Sequence, residues 1–171
     1  YEALNDMTNY QRTYSIGQVE VDAGVVYHTT EYRERRNHYT LFACTTEPAG
    51  FDTDRDAFLG PHNGLHEPRA AQRGAATNSV AHGWNPIGSH HLELSLAPRE
   101  TASFAFVLAY IEQDPDAPKF APDGSLNKTK GQALLQRYAD PRAVDAAFDS
   151  LRDRWNELLS AFQIDCPSAP M

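Results

Sequence analysis

A cluster of hydrogen-bonding side chains near the start of the sequence has the residue types that bind sugars. Asn9, Tyr10, Gln11 and Arg12 follow one another directly. Their amide, phenol and guanidinium groups supply fixed donors and acceptors, and Arg presents five N–H donors in a rigid fork. Sugar hydroxyls require this chemistry. The same four residues would equally suit a polar strand end whose Arg pairs with a surface acid, so the pattern alone leaves both interpretations open.

Aromatic residues are a second feature that is typical of sugar sites. The face of an aromatic ring can pack on the C–H groups of a pyranose, and its quadrupole favours specific stacking geometries. The candidate rings are Tyr10, Tyr14, Tyr32 and Trp84. Ordinary packing in the core or at a sheet edge explains the same residues.

Three alternating aspartates resemble the start of a calcium-binding loop. Asp52, Asp54 and Asp56 are spaced as in an EF-hand, but that loop needs Gly at its sixth position and Glu at its twelfth. This sequence has Ala57 and Asn63 there. We therefore predict a solvated turn and no calcium site.

The histidines show no metal-binding spacing. Zinc sites need three or four ligands at characteristic separations, often including a cysteine pair. The candidates here are only two pairs, His62 with His66 and His90 with His91. We predict a metal-free chain.

The sequence contains no self-sufficient catalytic set. Pairs of carboxylates suited to glycoside chemistry can be drawn from Glu31, Glu34, Asp52 and Asp54, but any acidic protein offers such pairs, and we expect surface charges. Ser79 and Ser89 lack the glycine pattern of a nucleophile elbow, and no glycine-rich phosphate loop occurs. We predict no catalytic residue in this chain.

Composition restricts the class of protein. The chain has 171 residues, 41% of them hydrophobic, which is enough for a core of one domain. A net charge of −8 argues against nucleic acid and anionic membranes as partners. The two cysteines are too few for a disulfide framework, and no apolar run has the length of a membrane span, so we expect a cytoplasmic protein. Because the sequence lacks an initial Met, we also expect a piece of something longer.

The elements that must position these residues are mainly β-strands. Val19 and Val21 alternate with acids, Ala23-Gly24 supplies a turn, and a β-prone run follows, which predicts a hairpin. Residues 38–45 are apolar enough for a central strand that is buried on both sides. A long excursion over residues 50–89 has the composition of a functional loop with one short helix near residues 68–73.

Two further period-2 runs predict an antiparallel hairpin. Residues 91–97 alternate leucine with polar side chains, and residues 104–110 alternate large apolar side chains after a turn at Pro98-Arg99-Glu100. A Pro-rich connector over residues 113–126 then ends the β-rich part of the sequence.

The remaining sequence is helical. Asn127 can cap a helix that extends to about Ala139, and Asp140-Pro141 is a strong start signal for a second helix. That helix has an apolar stripe at spacings of three and four residues, formed by Val144, Phe148, Leu151, Trp155, Leu158 and Phe162. A small β-domain cannot cover the whole stripe, so we predict a partner surface from a further domain or a second subunit.

Several longer strings resemble the inverting disaccharide phosphorylases of glycoside hydrolase family 94. These strings are DMTNYQR at residues 6–12, GQVEV at 17–21, YHTTEYRERR at 27–36, AGFDTDR at 49–55, NSVAHGW at 78–84 and PIGSH at 86–90. The likeness covers nearly the whole chain. Within the family, the sequence is most similar to the enzymes that act on cellobiose, and those for chitobiose, laminaribiose and cellobionic acid, and the cyclic glucan synthases, are the alternatives.

The resemblance implies a mainly β fold with C-terminal helices. It implies an antiparallel β-sandwich, half of an N-terminal supersandwich, over residues 1–112, the connector over 113–126, a two-helix linker over 127–163, and a tail over 164–171 that leads to a missing domain. The catalytic α/α barrel, with the aspartate that protonates the glycosidic oxygen, is absent. The chain alone is therefore expected to be inactive, and a stand-alone carbohydrate-binding module is the alternative of a different class.

The resemblance also implies the site residues and partners. In the family, the Arg of the Asn-Tyr-Gln-Arg string contacts the acceptor sugar, which implies Arg12 as a substrate-binding residue with Gln11 and Asn9 beside it. It implies a homodimer partner and the barrel domain, a disaccharide or glucose as substrate, inorganic phosphate as co-substrate, and no cofactor. One departure is His62, where relatives often have tyrosine.

Overall fold

The structure is a computed structural model that describes residues 17–30, 37–82 and 86–161. Within these ranges the chain forms six strands and four helices. The strands are β1 (Gly17–Asp22), β2 (Val25–Thr30), β3 (His38–Cys44), β4 (Gly50–Asp52), β5 (Ser89–His91) and β6 (Phe106–Glu112). The helices are α1 (Arg55–Leu59), α2 (Arg69–Arg73), α3 (Thr129–Arg137) and α4 (Pro141–Ser160). The predicted mainly β fold with C-terminal helices is confirmed. No helix among the described residues has the length and apolarity that crossing a bilayer requires.

The main layer is a four-stranded antiparallel sheet with the order β1-β2-β3-β6. The predicted first hairpin is confirmed, and Asp22 pairs with Val25 across its two-residue turn. Ala23 and Gly24 both have positive φ, at 47° and 75°. Two positive φ angles in succession match the right-handed twist of the flanking strands.

One face of this sheet forms the core. Tyr27, Tyr39, Leu41, Ile111 and Leu126 are buried together, and Leu134 and Leu135 of α3 pack against them. The rings of Tyr27 and Tyr39 meet edge to face at 5.9 Å. Each such aromatic pair adds about 1 kcal/mol beyond its buried area. The helix therefore completes the core that the strands begin.

The opposite face of the sheet is only partly covered, so the prediction that β3 is buried on both sides is wrong. Burial alternates along β3, with Tyr39, Leu41 and Ala43 buried and their neighbours half-buried. The small β4–β5 sheet covers part of this second face, where the His90 ring stacks on Phe42 at 4.6 Å. A two-stranded sheet is too small to cover the rest.

The predicted hairpin between residues 91–97 and 104–110 is also wrong. β6 pairs instead with β3, in a register that runs from His38↔Glu112 to Cys44↔Phe106. Residues 92–97 form no strand, and Leu94 and Leu96 are exposed. The alternation of side chains correctly reported the two faces of β6 but carries no information about the strand's partner.

The long excursion contains more structure than its composition predicts. The short helix near residues 68–73 is confirmed as α2. Helix α1 and the short strands β4 and β5 were not predicted. Asp54 caps α1 by accepting hydrogen bonds from the backbone N–H groups of Asp56 and Ala57. A three-residue strand is too short to show a periodic pattern.

Both predicted C-terminal helices are confirmed, α4 with its predicted cap Asp140 and α3 after Lys128, one residue beyond the predicted cap Asn127. The Asn127 carboxamide oxygen accepts from the Thr129 backbone at 3.3 Å, just before α3. The Asp140 side chain caps α4 by accepting from the backbone N–H of Arg142 at 2.9 Å. The apolar stripe of α4 is exposed at Phe148, Leu151, Trp155 and Leu158, with Phe148 66% and Leu158 63% accessible, and half-buried at Val144. Phe162 lies outside the described residues. The occupant of that surface and the domain boundaries stay predictions.

An ion cluster fixes the start of α3 to the sheet. Lys128 lies 3.2 Å from Glu20 and 3.1 Å from Asp22 of β1. The Leu126 backbone N–H also donates to Glu20 at 2.9 Å. Burial and then the Asp22 charge raise the pKa of Tyr27, whose ring lies under Lys128, to about 12. These contacts join residues more than one hundred positions apart.

Candidate functional site

The predicted sugar-binding residues Asn9, Gln11 and Arg12 lie outside the described residues. The candidate stacking rings lie there as well, namely Tyr10, Tyr14, Tyr32 and Trp84. The structure describes the end of the sheet that residues 1–16 and 31–36 join. The chain that contains Arg12 enters the sheet at Gly17, and Gly17 pairs with Thr30, the last residue of β2. Residues 1–16 and 31–36 therefore connect to the same end of the β1–β2 hairpin.

A close contact defines this end of the sheet. A Cβ atom on Gly17 would lie 2.2 Å from Nε2 of His28, so only glycine allows the ring to occupy its position. Burial first, and then the nearby His38, lowers the pKa of His28. The lowered pKa favours a neutral imidazole. Next to it, the Thr29 hydroxyl donates to the His38 carbonyl at 2.7 Å and holds β2 against β3.

Asp52 at the end of β4 is a buried carboxylate, contrary to the predicted solvated turn and surface charge. Its exposed fraction is 0%. It accepts hydrogen bonds from the backbone N–H groups of Thr77 and Ser79, both at 3.1 Å, and from both hydroxyls. Burial alone would raise the pKa of Asp52, but the hydrogen bonds from Thr77 and Ser79 outweigh it and lower the pKa. An ionised, saturated carboxylate anchors a loop and cannot serve as a general acid.

The neighbouring Thr53 fixes the same loop at two points. Its hydroxyl accepts from the Ala81 N–H at 2.8 Å, and its backbone N–H donates to the Ser79 carbonyl at 2.9 Å. The Thr53 carbonyl in turn accepts from the Ile87 N–H at 2.9 Å. Both ends of the segment over residues 82–86 are thus bonded to one buried threonine.

A small cavity lies beside this anchor. Its volume is about 250 Å³, and it is lined by Asp52, Phe58, Ala70, Ala71, Gly74, Ala75, Ala76, Ser89, His90 and His91. The wall is mostly apolar, and the Asp52 carboxylate is already occupied by Thr77 and Ser79. The cavity has no nucleophile paired with a base.

His90 occupies an apolar position between the two sheets. Its ring stacks on Phe42 at 4.6 Å and lies 6.4 Å from the ring of Phe106. Both ring nitrogens are buried and make no hydrogen bond of normal geometry to the described residues. Burial lowers the pKa of His90, and the nearby Gly24 carbonyl opposes this shift only in part. The residue packs as an aromatic ring.

Among the residues that the structure describes, we find no catalytic set and no group of metal ligands. Within residues 17–30, 37–82 and 86–161, no three His, Cys, Asp or Glu side chains converge as metal ligands would. Of the carboxylates considered from the sequence, Asp52 is saturated and Asp54 caps a helix. Glu31 and Glu34 lie outside the described ranges. Sequence reasoning missed the Asp52 anchor because its partners stand 25 and 27 residues away and share no local pattern with it.

Comparison with known proteins agrees with the family resemblance of the sequence. The family model for the glycosyl hydrolase 94 supersandwich domain matches residues 1–141. An N,N'-diacetylchitobiose phosphorylase of Vibrio proteolyticus is 28% identical over 155 residues, which are 91% of this chain and 17% of that protein. A protein of the same name from Vibrio furnissii is 28% identical over 166 residues, which are 96% of this chain and 19% of that protein. The chain thus spans less than a fifth of the length of these relatives.

Proposed function

The chain belongs to the glycosyl hydrolase 94 family through its supersandwich domain, and from this premise we propose that it is a non-catalytic, N-terminal portion of an inverting disaccharide phosphorylase. The match of the family model to residues 1–141 carries the proposal. In the proposed reaction, inorganic phosphate attacks the anomeric carbon of a disaccharide and releases a sugar 1-phosphate and a free sugar. No cofactor takes part, and the acid that protonates the glycosidic oxygen belongs to a domain outside this chain.

The proposed contribution of this chain is one wall of the acceptor-sugar site. Arg12 would donate two hydrogen bonds to neighbouring hydroxyls, with Gln11 and Asn9 beside it, and a bidentate contact of this kind fixes orientation as well as position. The rigid platform at Gly17 supports this role. The Gly17↔Thr30 pairing and the packing of Gly17 against His28 fix the point at which the segment that contains Arg12 joins the sheet.

The proposed assembly is a homodimer in the cytoplasm, in which this domain of one subunit helps to close the active site of the other. The free thiol of Cys44 is consistent with a reducing compartment. The partner subunit and the barrel domain are also the proposed occupants of the apolar surfaces that this chain leaves exposed.

Two substrates are candidates. The sequence resemblance favours cellobiose, which would give glucose 1-phosphate and glucose. The names of the two Vibrio relatives favour N,N'-diacetylchitobiose, at 28% identity for each. The two sugars differ at the 2-position, where an acetamido group replaces a hydroxyl.

The test uses the longer protein that contains this chain. It is incubated with inorganic phosphate and either cellobiose or N,N'-diacetylchitobiose, and the sugar 1-phosphate is measured. We expect phosphate-dependent cleavage of one of the two. Phosphate-independent products, or sugar binding by the isolated 171-residue chain in calorimetry, would instead support a transferase or a carbohydrate-binding module.

The Arg12 role is tested in the synthetic direction. Arg12→Ala should raise the KM for the acceptor sugar at least tenfold, while the KM for the sugar 1-phosphate stays within twofold. Arg142→Lys is the matched control, because this exposed residue bonds only to Asp140 among the described residues. An unchanged acceptor KM in Arg12→Ala would remove Arg12 from the site.

A further inference from the structure

The loop over residues 60–68 joins α1 to α2 and contains the only Asn-Gly pair of the sequence, Asn63 and Gly64. Asparagine is chemically labile, because its side-chain amide carbon can close a five-membered ring with the backbone nitrogen of the next residue. A following glycine favours this closure, since it has no Cβ to obstruct the nitrogen and its backbone is the most mobile. The pair therefore has the residue types for spontaneous ring closure.

Both reacting groups of this pair are available in the folded chain. Asn63 is exposed, and within the described part of the chain its side chain makes no hydrogen bond to another protein group. The Gly64 N–H donates to no acceptor in the same ranges, and only the Gly64 carbonyl is bonded, to the Glu67 N–H at 3.1 Å. A hydrogen bond to either group would have to break before the ring closed. Neither group is held back in this way.

The asparagine that precedes a serine is in the opposite situation. The carboxamide oxygen of Asn78 accepts from the Phe51 backbone N–H at 3.1 Å. The nitrogen that would attack it belongs to Ser79, whose N–H donates to the buried Asp52 carboxylate at 3.1 Å. Ring closure at Asn78 would break both bonds, so the Asp52 anchor also protects this asparagine from chemical change.

The Asp-Gly pair at Asp123 and Gly124 is held in a similar way. The Asp123 carboxylate accepts from the backbone N–H of Ser125 at 2.9 Å and from its hydroxyl at 2.7 Å. The Gly124 N–H donates to the Ala121 carbonyl at 2.9 Å. Of these three pairs, only Asn63 and Gly64 combine a reactive sequence with two unbonded groups.

The base of the loop is closed independently of Asn63. A Cβ atom on Gly60 would lie 2.8 Å from Cβ of Arg69, so the end of α1 touches the start of α2. The Gly60 N–H also donates to the Asp56 carbonyl at 2.8 Å. A chemical change at Asn63 therefore leaves the two helices in place.

We propose that Asn63 is a site of spontaneous deamidation, with Gly64 as the attacking residue and water as the only co-reactant. The Gly64 nitrogen gives its proton to water and attacks the side-chain amide carbon of Asn63. A bond forms between that carbon and the Gly64 nitrogen, the bond from the carbon to Nδ2 breaks, and ammonia leaves with a proton from the solvent. The product is a succinimide ring. This inference does not rest on the proposed phosphorylase activity.

Hydrolysis of the ring gives two products. Water that attacks the former side-chain carbonyl breaks the new bond to the Gly64 nitrogen and leaves aspartate in a normal backbone. Water that attacks the backbone carbonyl of residue 63 breaks the original peptide bond, so the chain continues through the former side chain as isoaspartate. Either product adds one negative charge to an exposed loop, and isoaspartate also lengthens the backbone by one methylene group.

Peptide mapping by mass spectrometry tests the site in the longer protein that contains this chain. After incubation at neutral pH, conversion of Asn63 should be at least a hundredfold faster than conversion of Asn78. The converted peptide should appear as two chromatographic peaks of equal mass, aspartate and isoaspartate. A ratio below tenfold, or a single aspartate product, would overturn the proposal.

Two variants test the role of Gly64. Gly64→Ala should slow the conversion at least tenfold. The added Cβ would lie 2.9 Å from Nδ1 of the exposed His66 ring, which can turn away, and Gly64 is not among the residues with positive φ. His66→Ala, which removes that ring but keeps the Asn-Gly pair, is the matched control and should leave the rate within threefold. An unchanged rate in Gly64→Ala would overturn the assigned attack.

The same measurement in urea separates the effect of the fold from that of the sequence. Conversion of Asn78 should rise at least tenfold in the unfolded chain, because its bonds to Phe51 and through Ser79 to Asp52 are lost. Conversion of Asn63 should change less than threefold. A tenfold rise at Asn63 upon unfolding would show that the folded protein protects this loop, and would overturn the inference.

Discussion

The carboxylate of Asp52 binds both the backbone N–H and the hydroxyl of Ser79, 27 residues further along the chain, at 3.1 and 2.7 Å. A fully buried anion with this many donors stabilises the fold only while every partner is present. The anchor joins β4 to the loop that precedes β5, and several predictions depend on it or on equally close contacts.

Replacing Asp52 should destabilise the chain strongly. Asp52→Asn places an amide group against the Thr77 and Ser79 donors, so at least one buried N–H or hydroxyl loses its acceptor. We expect a loss of about 3 kcal/mol in the free energy of unfolding, measured by urea denaturation. Asp116→Asn, an exposed matched control, should change this free energy by less than about 0.5 kcal/mol.

The same residue should determine part of the acid sensitivity. The folded-state pKa of Asp52 is lowered, so it lies below the unfolded value of about 3.9. As pH falls, the unfolded chain therefore takes up this proton first. The stability that Asp52 contributes is complete well above pH 4 and is lost as pH falls through the folded pKa. In thermal melts between pH 2 and 6, Asp52→Asn should flatten this acid limb, and an unchanged slope would contradict the assignment.

Two histidines should make the free energy of unfolding depend on pH in a second, higher range, with a smaller effect. The pKa values of His28 and His90 are both lowered by burial. Below about pH 6.5 the unfolded chain binds protons that the folded chain rejects. The free energy of unfolding should therefore rise with pH between about 5 and 7. His28→Gln should reduce that slope, and His82→Gln, at an exposed position, serves as the comparison.

A methyl group at Gly17 should disturb the sheet end. Its Cβ would lie 2.2 Å from Nε2 of His28, so the ring or the strand must move. We expect Gly17→Ala to cost about 2 kcal/mol, as overpacked sites do. The double variant Gly17→Ala with His28→Ala should recover most of that loss relative to His28→Ala alone. Additive effects of the two changes would show that the contact is not the cause.

Replacing Gly131 in α3 with alanine should destabilise the chain, although alanine has the higher helix propensity. Alanine is normally about 1 kcal/mol better than glycine in a helix. Here a Cβ would lie 2.7 Å from Oη of Tyr39 and would disrupt the 2.8 Å hydrogen bond from the Gly131 N–H to that oxygen. Gly131→Ala should therefore lower the melting temperature. Ala133→Gly, at an exposed position of the same helix, should lower it by propensity alone, and stabilisation by Gly131→Ala would refute the close packing.

Sequence signals that act over a few residues correctly predicted a turn and a helix start. The two-residue turn at Ala23-Gly24 and the Asp140-Pro141 start of α4 act within a few residues, and both occur as expected. The family resemblance anticipated the mainly β fold, and the match over residues 1–141 agrees with it.

Long-range pairing was not predictable from these signals. β6 pairs with β3, and His38 faces Glu112, more than seventy residues away. Strand alternation shows that one face is buried but does not identify the neighbour. The prediction for Asp52 failed for the same reason, since its donors Thr77 and Ser79 follow two short helices. For the candidate site, the sequence predicts that Arg12, Gln11 and Asn9 bind the sugar. These residues lie outside the described ranges, so their role stays a prediction.

The double attachment of Thr53 has a consequence for how this domain can vary. The residues that flank the segment over 82–86 both bond to Thr53, Ala81 to its hydroxyl and Ile87 to its backbone carbonyl, so both ends of the segment are held at fixed positions. Adding residues to such a segment costs only the slowly growing entropy of loop closure, about 0.6 kcal/mol for each doubling of length. Insertions and exchanges between these two points therefore leave the register of the strands unchanged. The fold therefore provides a position where the length of the chain can change independently of the sheet.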